Sequence, residues 1–579
     1  MMPISIVIVG WLASFSTFLY FLNLLSIPIW LSAPVFLLIS IFYFSKKFNY
    51  QIVFPKKNWL TIFFFLISLI GLTSFTFGQK YGLKDGLVLH ISNFHDTLWH
   101  TAVVQSAMQG TPPENPAFAG LPLAGYHYAY DLLVAVFSYY TSIEPLTLYG
   151  FVAPYLLALL FAGTTLVLVS SVAKNKWETI FGSLLITVGA GFAYLAALFF
   201  PVKQFHQTIF WLDQPVAYPI NQQLLLSLCI VNAIYFLIIN KKYQQQFWWL
   251  LAVLLGSLAS IKVYAALIVL PPVLLFGLLD LVSTKKSTIL KSAILGGIIA
   301  AASLLLNRSA LGNPFIWSPG WFVKTMYEAG DHLNFDTWEL QRLTFVANGS
   351  FARLVIHWTI GFVVFLVGVF GVKLLGVAAF LLSLVTGKEK TKNHRGWLLT
   401  TTFLLSVLLP SLFIQEGVVW NSIQLMHYAQ VPAVLLLLIA LPKLVANAKH
   451  KVAILVVLLV LALPTTIMTI QQNLTSQQYQ QLPPELISNV KNLDLPEGKA
   501  VLIDQSLTKY SLISALTGRA VYWADPTMLT LLGLEAAEGR GELQKNTAAD
   551  LALCPAKSVF IQRNNSQLSI IDCDQLTVD

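Results

Sequence analysis

The chain is poor in charged residues. Only 11% of its 579 residues are Asp, Glu, Lys or Arg, whereas 56% are hydrophobic. Charge this scarce excludes an ordinary soluble globule, whose surface needs polar side chains. The apolar runs are long, and many approach the ~20 residues that a helix needs to cross a bilayer. The sequence therefore predicts an all-α membrane bundle with many spans.

Acidic residues are fewer than basic ones, and the formal net charge is +9. The basic residues are scattered in short loops between the apolar runs. This pattern is typical of a protein oriented in a membrane, not of a surface that binds nucleic acid. We therefore expect membrane lipids, and no nucleic acid, as partners.

Cysteine is also scarce, with three residues in the chain. Cys229 lies within an apolar run, where a thiol behaves as a small buried hydrophobe. Cys554 and Cys573 flank two β-rich runs at similar distances from the turn between them. In an exported domain this arrangement favours a disulfide between them.

The apolar runs predict about thirteen spans. We place them at 4–24, 27–45, 59–78, 147–172, 178–200, 222–240, 246–261, 263–283, 288–306, 353–385, 397–415, 425–446 and 451–471. The first run lacks a basic flank and a cleavage site, so we interpret it as a span and not as a signal peptide. The run 247–282 has to be split, at Lys262 or at Pro271-Pro272. The run 354–385 is either one tilted span or a span followed by an interfacial helix.

Basic residues also predict the orientation. With the N-terminus in the cytoplasm, the short inner loops carry the pairs Lys174 and Lys176, Lys241 and Lys242, and Lys285 and Lys286. The positive-inside rule then places four long segments outside the cytoplasm, namely 79–146, 201–221, 307–352 and 472–579. We expect a multi-pass protein of the plasma membrane whose chemistry or binding is on the outer face.

Residues 472–579 differ in composition from the membrane module, residues 1–471, because the apolar spans stop there. We interpret them as a small extracytoplasmic α/β domain of roughly 90 residues, a size that can fold alone. Strands are predicted at 500–504, 520–523, 558–562 and 567–571, the last two as a hairpin, and helices at 509–517 and 526–538.

The first outer segment, residues 79–146, carries an acid between two imidazoles: His95, Asp96 and His100. Ionisable groups at the mouth of a membrane bundle are candidates for a functional site. Helical spacing over 96–109 puts Asp96 and His100 on one face, with Asp96 at the helix start, where simple N-capping is the alternative. A second helix from residue 126 puts His127 and Asp131 on one face. A metal site is left open, with Asp96, His100, His127 and Asp131 as the ligands.

Other residues on the predicted outer face are candidates for substrate binding. Lys262 places an ammonium group in an apolar region, where it either binds phosphate or extends to the membrane interface. The remaining candidates are polar and aromatic groups at loops and span mouths: His95, Tyr126, Tyr128, Asp213, Asn221, Arg342, Glu416, Asn421 and Gln424.

The first outer segment resembles that of GT-C superfamily glycosyltransferases. The shared features are an early acid, an amphipathic helix, a proline-rich turn at 112–116 and a Tyr/His-rich return to the membrane at 126–131. The family includes protein mannosyltransferases, oligosaccharyltransferases and aminoarabinose transferases, which use polyprenyl-phosphate-linked sugars. The resemblance implies that Asp96 is the catalytic base or a metal ligand. Many members carry two adjacent acids there, whereas this chain has His95-Asp96, which favours Asp96 as the sole base.

The expected function is transfer of a sugar from a polyprenyl-phosphate donor to a hydroxyl of a glycan, lipid or protein acceptor. Asp96 is the expected general base, with His100 and His127 as further catalytic groups. A divalent metal is the cofactor that stays open. One alternative is a transporter or flippase, which charges buried at mid-span would favour. The other is a non-catalytic scaffold whose exported domain binds a partner.

Overall fold

The computed structural model describes residues 2–47, 50–51, 59–82, 84–202, 205–307, 315–387, 394–445, 447–534, 537–555, 557–564 and 567–575. Within these ranges, ten helices are long and apolar enough to cross a membrane. They are Ile4–Leu24, Trp59–Thr76, Pro145–Ser170, Gln222–Ile239, Val263–Thr284, Thr288–Leu306, Phe351–Val385, Arg395–Leu412, Val419–Leu444 and Lys449–Asn473. The apolar helices Ile29–Lys47 and Trp248–Ile261 correspond to two further predicted spans. The chain is a multi-pass membrane protein.

The predicted span at 178–200 is not one helix. It consists of Lys176–Thr187 and Ala193–Phe199, joined by a non-helical segment. In that segment the backbone N–H of Gly191 donates to Oε1 of Gln214 at 2.7 Å. A Cβ atom at Gly191 would lie 2.2 Å from the carbonyl oxygen of Gly368, so only glycine allows the two backbones to approach this closely. This tertiary contact interrupts the helix.

The run 247–282 breaks at the first of the two predicted positions. Lys262 has an extended backbone between Trp248–Ile261 and Val263–Thr284, whereas Pro271 and Pro272 lie inside the second helix. The long run at 351–385 bends at Gly371, whose φ of +53° separates Phe351–Phe370 from Leu374–Val385. Lys262 therefore lies at the break between two apolar helices.

The helix Gln222–Ile239 lies at the centre of the bundle, and its residues from Gln222 to Ile238 are all buried. Large apolar side chains on the outer helices are exposed instead, among them Ile298 and Val363. In water such exposure would be costly, but in a bilayer these side chains contact lipid. Small residues bring helices together, since a Cβ atom at Gly256 would lie 2.5 Å from Ile299.

The first outer segment contains two helices, Ile91–Gln109 and Ala129–Thr141. The strand Gly86–His90 leads directly into the first of them and pairs antiparallel with Lys80–Gly82 and with Tyr479–Leu482. His90 caps this helix, because its Nδ1 accepts the N–H of Ser92 at 3.3 Å. We call Ile91–Gln109 the site helix.

The third long segment contains the strand Phe315–Trp317, which pairs antiparallel with Phe413–Gln415. The helices Trp321–Glu328 and Asp336–Ala347 follow it in the chain. Trp211 of the second segment packs against His332 of the third, with their rings perpendicular and their centroids 4.0 Å apart. The second and third segments therefore pack together.

The residues that follow Asn473, which we call the tail, contain a three-stranded sheet. Ala500–Ile503 pairs parallel with Ser558–Asn564, which pairs antiparallel with Gln567–Asp572. The strand at 500 and the hairpin were predicted. The predicted strand at 520–523 is wrong, since Tyr522 makes a single backbone bond to Val501 there. The remaining helices are Pro484–Lys491, Leu512–Thr517, Pro526–Leu531 and Ala537–Ala549.

Two predicted helices of the tail have different bounds in the structure, and its two cysteines form a disulfide. The helix predicted at 526–538 is two helices, and the first is capped by Asp525, whose side chain accepts the N–H of Met528. The helix predicted at 509–517 begins at Leu512 and ends at Gly518, whose φ of +78° suits a glycine at a helix end. Cys554 and Cys573 are joined by a disulfide, with their Cα atoms 5.5 Å apart.

The tail packs against residues 115–124 of the first outer segment. Three backbone bonds join them: Ala119 N–H to Val521 O at 2.9 Å, Val521 N–H to Pro116 O at 3.1 Å, and Ala524 N–H to Ala117 O at 3.0 Å. Arg540 adds a bond to the carbonyl of Ala119 at 2.7 Å. The tail and the first outer segment thus form one structure around the N-terminal half of the site helix.

Candidate active site

Asp96 lies in the second turn of the site helix, not at its start as predicted. The helix begins at Ile91 because the strand from Gly86 to His90 ends there and His90 supplies the cap. The Asp96 side chain is 38% exposed, and its Oδ1 lies 3.5 Å from Nδ1 of His95. Its carboxylate is therefore accessible to a ligand.

His95 forms a close pair with a residue of the tail. Its Nε2–H donates to Oδ1 of Asp525 at 2.8 Å, and the Asp525 side chain is only 1% exposed. Burial lowers the pKa of His95, but the hydrogen bonds and charges of Asp525 and Asp96 outweigh it and raise that pKa to about 10. His95 is therefore an imidazolium at neutral pH.

The same charges act on Asp96. Burial raises the pKa of Asp96, but the hydrogen bond and charge of His95, followed by the charges of His100 and Lys262, lower it below its ordinary value. Asp96 is thus ionised at neutral pH and able to accept a proton. The sequence placed the imidazole in the position of a second acid, and the raised pKa of this imidazole makes it a cation at neutral pH.

His100 pairs with Asp131, and this differs from the predicted pairs. The helix expected from residue 126 begins at Ala129, so His127 precedes it and does not share a face with Asp131. Instead Nδ1 of His100 lies 3.0 Å from Oδ1 of Asp131. Burial raises the pKa of Asp131, although His100 and Gln223 oppose the shift. The two helices of the first outer segment therefore meet through this pair.

Aromatic and amide groups enclose the His100–Asp131 pair. The hydroxyl of Tyr126 lies 3.3 Å from Nε2 of His100, and the Tyr149 ring stacks on the imidazole at 5.2 Å. Nε2 of Gln223 donates to Oδ2 of Asp131 at 3.1 Å and to the carbonyl of His127 at 3.2 Å. With both ring nitrogens of His100 engaged, its orientation is fixed by the fold.

The four predicted metal ligands do not form a coordination site. No group of three or more His, Cys, Asp or Glu side chains in the described ranges is arranged to hold a metal ion. His100 and Asp131 bind each other, and His95 occupies the near side of Asp96. These four residues do not fit a metal centre in this arrangement, and we derive no step through one.

Lys262 is buried at the helix break and is 4% exposed. Its ammonium lies 5.4 Å from the centroid of the Tyr264 ring, and it makes no hydrogen bond or ion pair within the described part of the chain. Its charge acts on Asp96 and Asp131. Together with burial, its charge also lowers the pKa of His127 well below the ordinary value, so His127 is neutral.

Several buried polar atoms near Lys262 have no partner among the described residues. They are Nε2 of His127, both ring nitrogens of His427 and the hydroxyl of Tyr218. The rings of Tyr218 and His427 touch, with their centroids 5.0 Å apart. Buried polar groups are nearly always paired, so a cluster of unpaired ones beside an unpaired ammonium is typical of a ligand site.

Asp213 is a second acid of the site. Its Oδ1 accepts Nε2–H of Gln207 at 3.0 Å. Burial, with a smaller contribution from the charge of Asp96, raises the pKa of Asp213 to about 7. The second outer segment therefore places an acid within electrostatic range of Asp96, and this acid is partly protonated near neutral pH.

Three of the residues predicted to bind substrate have partners elsewhere. Tyr128 donates to Asn23 at 3.1 Å, Asn221 caps the helix Gln222–Ile239, and Arg342 binds Glu339 at 2.6 Å. Glu416 is exposed, and Asn421 accepts a bond from Gln424 at 3.3 Å. The turn that contains Glu416, Asn421 and Gln424 approaches the site at Gln415, whose side-chain oxygen accepts a hydrogen bond from the hydroxyl of Tyr264.

Sequence reasoning did not select two residues of the site, Asp525 and Gln223. Asp525 precedes a proline and looks like an ordinary helix cap, while Gln223 follows another glutamine at the mouth of an apolar span. An amide in an apolar span was a usable signal, because polar groups are costly there. The partner of Asp525 was not readable, since His95 is 430 positions away.

The comparisons with known proteins give structural likeness alone. No family model and no curated protein matches the chain. The Archaeoglobus fulgidus oligosaccharyltransferase with Zn and sulfate is similar at 11% identity and a TM-score of 0.47, over 81% of this chain and 62% of that one. The apo form gives 10% and 0.47, over 87% and 70%. The complex with an inhibitory peptide and a dolichol-phosphate gives 11% and 0.46, over 90% and 75%.

The chain thus spans less than two thirds of the first of these oligosaccharyltransferase chains. Oligosaccharyltransferases are among the GT-C enzymes that the first outer segment resembles in sequence.

Proposed function

We propose that the protein is a membrane glycosyltransferase that moves a sugar from a polyprenyl-phosphate donor to an acceptor hydroxyl, with Asp96 as the general base. One observation carries the proposal. An accessible, ionised carboxylate lies beside a cationic imidazole and within range of a buried, unpaired ammonium, where a loop meets the end of a membrane bundle. Such a site suits an uncharged nucleophile and an anionic leaving group.

The proposed reaction forms a bond from the acceptor oxygen to the anomeric carbon of the sugar. The bond from that carbon to the phosphate oxygen breaks, and its electron pair leaves with the phosphate. The acceptor proton passes to Asp96, which needs to be ionised and within hydrogen-bond reach. Because the pKa of Asp96 lies below its ordinary value, the carboxylate is ionised at neutral pH, and its exposure makes it accessible to an acceptor.

The leaving phosphate gains charge in the transition state and needs donors aimed at it. Lys262 offers an ammonium that no described residue pairs, and His127 and His427 offer ring nitrogens without partners. We assign these three residues to the phosphate. His100 is held in one orientation by Asp131 and Tyr126 and would form a rigid base of the site.

An apolar groove in the bundle suits the isoprenoid chain of the donor. It has a volume of about 740 Å³ and is lined by side chains such as Ile8, Leu156 and Leu160. Tyr130 lies at its wall and donates to Gln222 at 2.6 Å. The Tyr130 ring contacts Tyr149, which stacks on His100. Two ring contacts thus connect the wall of the groove to His100 of the site.

We also propose that the site faces the extracytoplasmic side, with the tail. The basic inner loops support this orientation. Cysteine labelling tests it, because Glu497 of the tail and Lys176 of an inner loop are both exposed, and Cys229 is buried. An impermeant thiol reagent added to intact cells should label Glu497→Cys and not Lys176→Cys. The reverse pattern would overturn the orientation.

Transfer by purified protein from radiolabelled polyprenyl-phosphate sugars tests the function. Asp96→Asn should lower kcat by roughly 10²- to 10⁴-fold, the usual contribution of a general base. Asp85→Asn is the matched control, because Asp85 lies in the same segment and forms only an exposed pair with Lys80 at 3.8 Å. A wild type without transfer refutes the function, and an unchanged Asp96→Asn refutes the base. The same assay with a chelator tests for a divalent metal, because undiminished transfer by the wild type would argue against one.

A further inference from the structure

Asp525 is a buried carboxylate from the tail that reaches a side chain of the site helix. Besides the bond from His95 at 2.8 Å, its Oδ2 accepts the hydroxyl of Ser511 at 3.1 Å. Its Oδ1 also accepts the N–H of Met528 at 3.3 Å, at the start of Pro526–Leu531. Both carboxylate oxygens of Asp525 are therefore held in place by bonds within the tail, independently of the bond to His95.

The backbone of Asp525 has an uncommon conformation. Its φ of +49° and ψ of 65° lie in the left-handed region, which aspartate enters more readily than most residues because its short side chain forms local hydrogen bonds. This conformation sets the direction of the side chain. Here that direction is toward His95, whose ring also lies 6.1 Å from Tyr510 of the tail.

The two nitrogens of His95 face two carboxylates on opposite sides of the ring. Nε2 faces Asp525, and Nδ1 faces Asp96 at 3.5 Å. Because the imidazole is rigid, a bond that fixes Nε2 also fixes the direction of Nδ1. The Asp525 carboxylate is fixed by the tail, so the position of His95 beside Asp96 is set by a residue 430 positions away.

We infer that Asp525 is a positioning residue of the active site, which holds His95 so that its Nδ1–H is directed at Asp96. The inference rests on the proposed function, because Asp96 acts there as the base. The tail is then part of the transfer machinery and more than a cover for the site. Asp525 itself does not touch the substrate and acts through His95.

A double-mutant cycle separates positioning from a structural role. The variants are Asp525→Asn, His95→Gln and the pair together, assayed for kcat and for acceptor KM. Asp525→Asn keeps an oxygen that accepts the Met528 N–H, and its amide nitrogen is able to donate to the Ser511 hydroxyl, so the tail retains its local bonds while the negative charge facing His95 is lost. Asp504→Asn is the matched control, since Asp504 caps a turn of the tail through Ser506 at 2.8 Å and does not contact His95.

Asp525→Asn is expected to lower kcat by about 10²-fold, the scale of a misplaced catalytic group, with acceptor KM within about twofold. In the His95→Gln background it should change kcat by less than about twofold, because its effect passes through His95. Asp504→Asn should keep wild-type kcat. An equal loss from Asp525→Asn in both backgrounds would mean a structural role and overturn the inference, as would full activity of Asp525→Asn.

Two further outcomes keep the test decisive. A wild type without transfer overturns the proposed function itself, whereas transfer with an additive cycle overturns this inference alone. If Asp525→Asn does not fold in detergent, Ser511→Ala takes its place, because it removes one of the two bonds that orient Asp525 and leaves the carboxylate. Ser511→Ala should lower kcat in the wild-type background and not in the His95→Gln background.

Discussion

Replacing Arg540 by alanine should loosen the contact between the tail and the first outer segment. The Arg540 guanidinium contacts two rings, 3.8 Å from the centroid of Phe118 and 4.5 Å from that of Tyr522. It also donates to the carbonyls of Ala119 at 2.7 Å and Tyr522 at 3.2 Å. Arg540 therefore contacts both the tail and the first outer segment.

The size of the effect follows from these contacts. Each cation–π contact is worth about 0.5 to 1 kcal/mol at a partly exposed site, and a hydrogen bond from a charged donor about 1.5 kcal/mol. Because Tyr522 belongs to the tail itself, only the contacts to Phe118 and Ala119 cross the boundary. The expected loss is about 2 to 2.5 kcal/mol, which corresponds to roughly 30- to 70-fold faster opening of the boundary.

Amide hydrogen exchange measures this opening. The reporters are the N–H groups of Ala119, Val521 and Ala524, which form the three backbone bonds between the segments. Arg519→Ala is the matched control, because Arg519 donates to the carbonyls of Leu495 and Pro496 within the tail. If Arg540→Ala left the three amides within about threefold of wild type, or if Arg519→Ala accelerated them equally, the reasoning would be refuted.

Two other predictions concern the groove and the second acid. Leu156→Trp narrows the groove at an exposed wall, so it should raise KM by about tenfold for a long-chain donor and leave KM for a short-chain donor unchanged. Leu278→Trp is the control, because Leu278 is exposed outside the groove, and it should change neither KM. An equal effect of Leu156→Trp on both chain lengths would contradict the groove assignment. The pKa of Asp213 is about 7 in the folded protein, above its value in the unfolded chain. Ionisation of Asp213 therefore destabilises the fold, increasingly between about pH 4 and 7 and by a constant amount above pH 7. Asp213→Asn should therefore raise the melting temperature at pH 8 and have little effect at pH 4, and a stability gain that does not change with pH would contradict this account.

The sequence predicted those parts of the fold that depend on local pattern. Apolar runs located most of the spans, and β-rich runs located the tail hairpin around residues 564–567, because both signals lie within a few neighbouring residues. The interruption at Gly191 was not predicted, since its cause is a backbone 177 positions further on, at Gly368. Helix starts shifted for the same reason, as at Ala129, where packing and not periodicity decides.

The sequence predicted many residues of the site but not which of them bind each other. Asp96, His100, Asp131 and Lys262 were all selected, because ionisable groups are conspicuous in an apolar chain. Their partners come from other elements: His100 binds Asp131 across two helices, and His95 binds Asp525 across most of the chain. Spacing within one helix cannot reveal such pairs, and it suggested Asp96 with His100 instead.

The strand Gly86–His90 has a consequence for the order in which the protein assembles. It is synthesised early and leads into the site helix, yet its partner Tyr479–Leu482 follows the last long apolar helix. Pairing over so great a sequence separation is slow and comes after local structure has formed. The N-terminal half of the site helix, including His95, thus waits during synthesis for a strand that emerges only when the bundle has been inserted. A nascent chain would acquire a finished active site at the end of biogenesis and not during it.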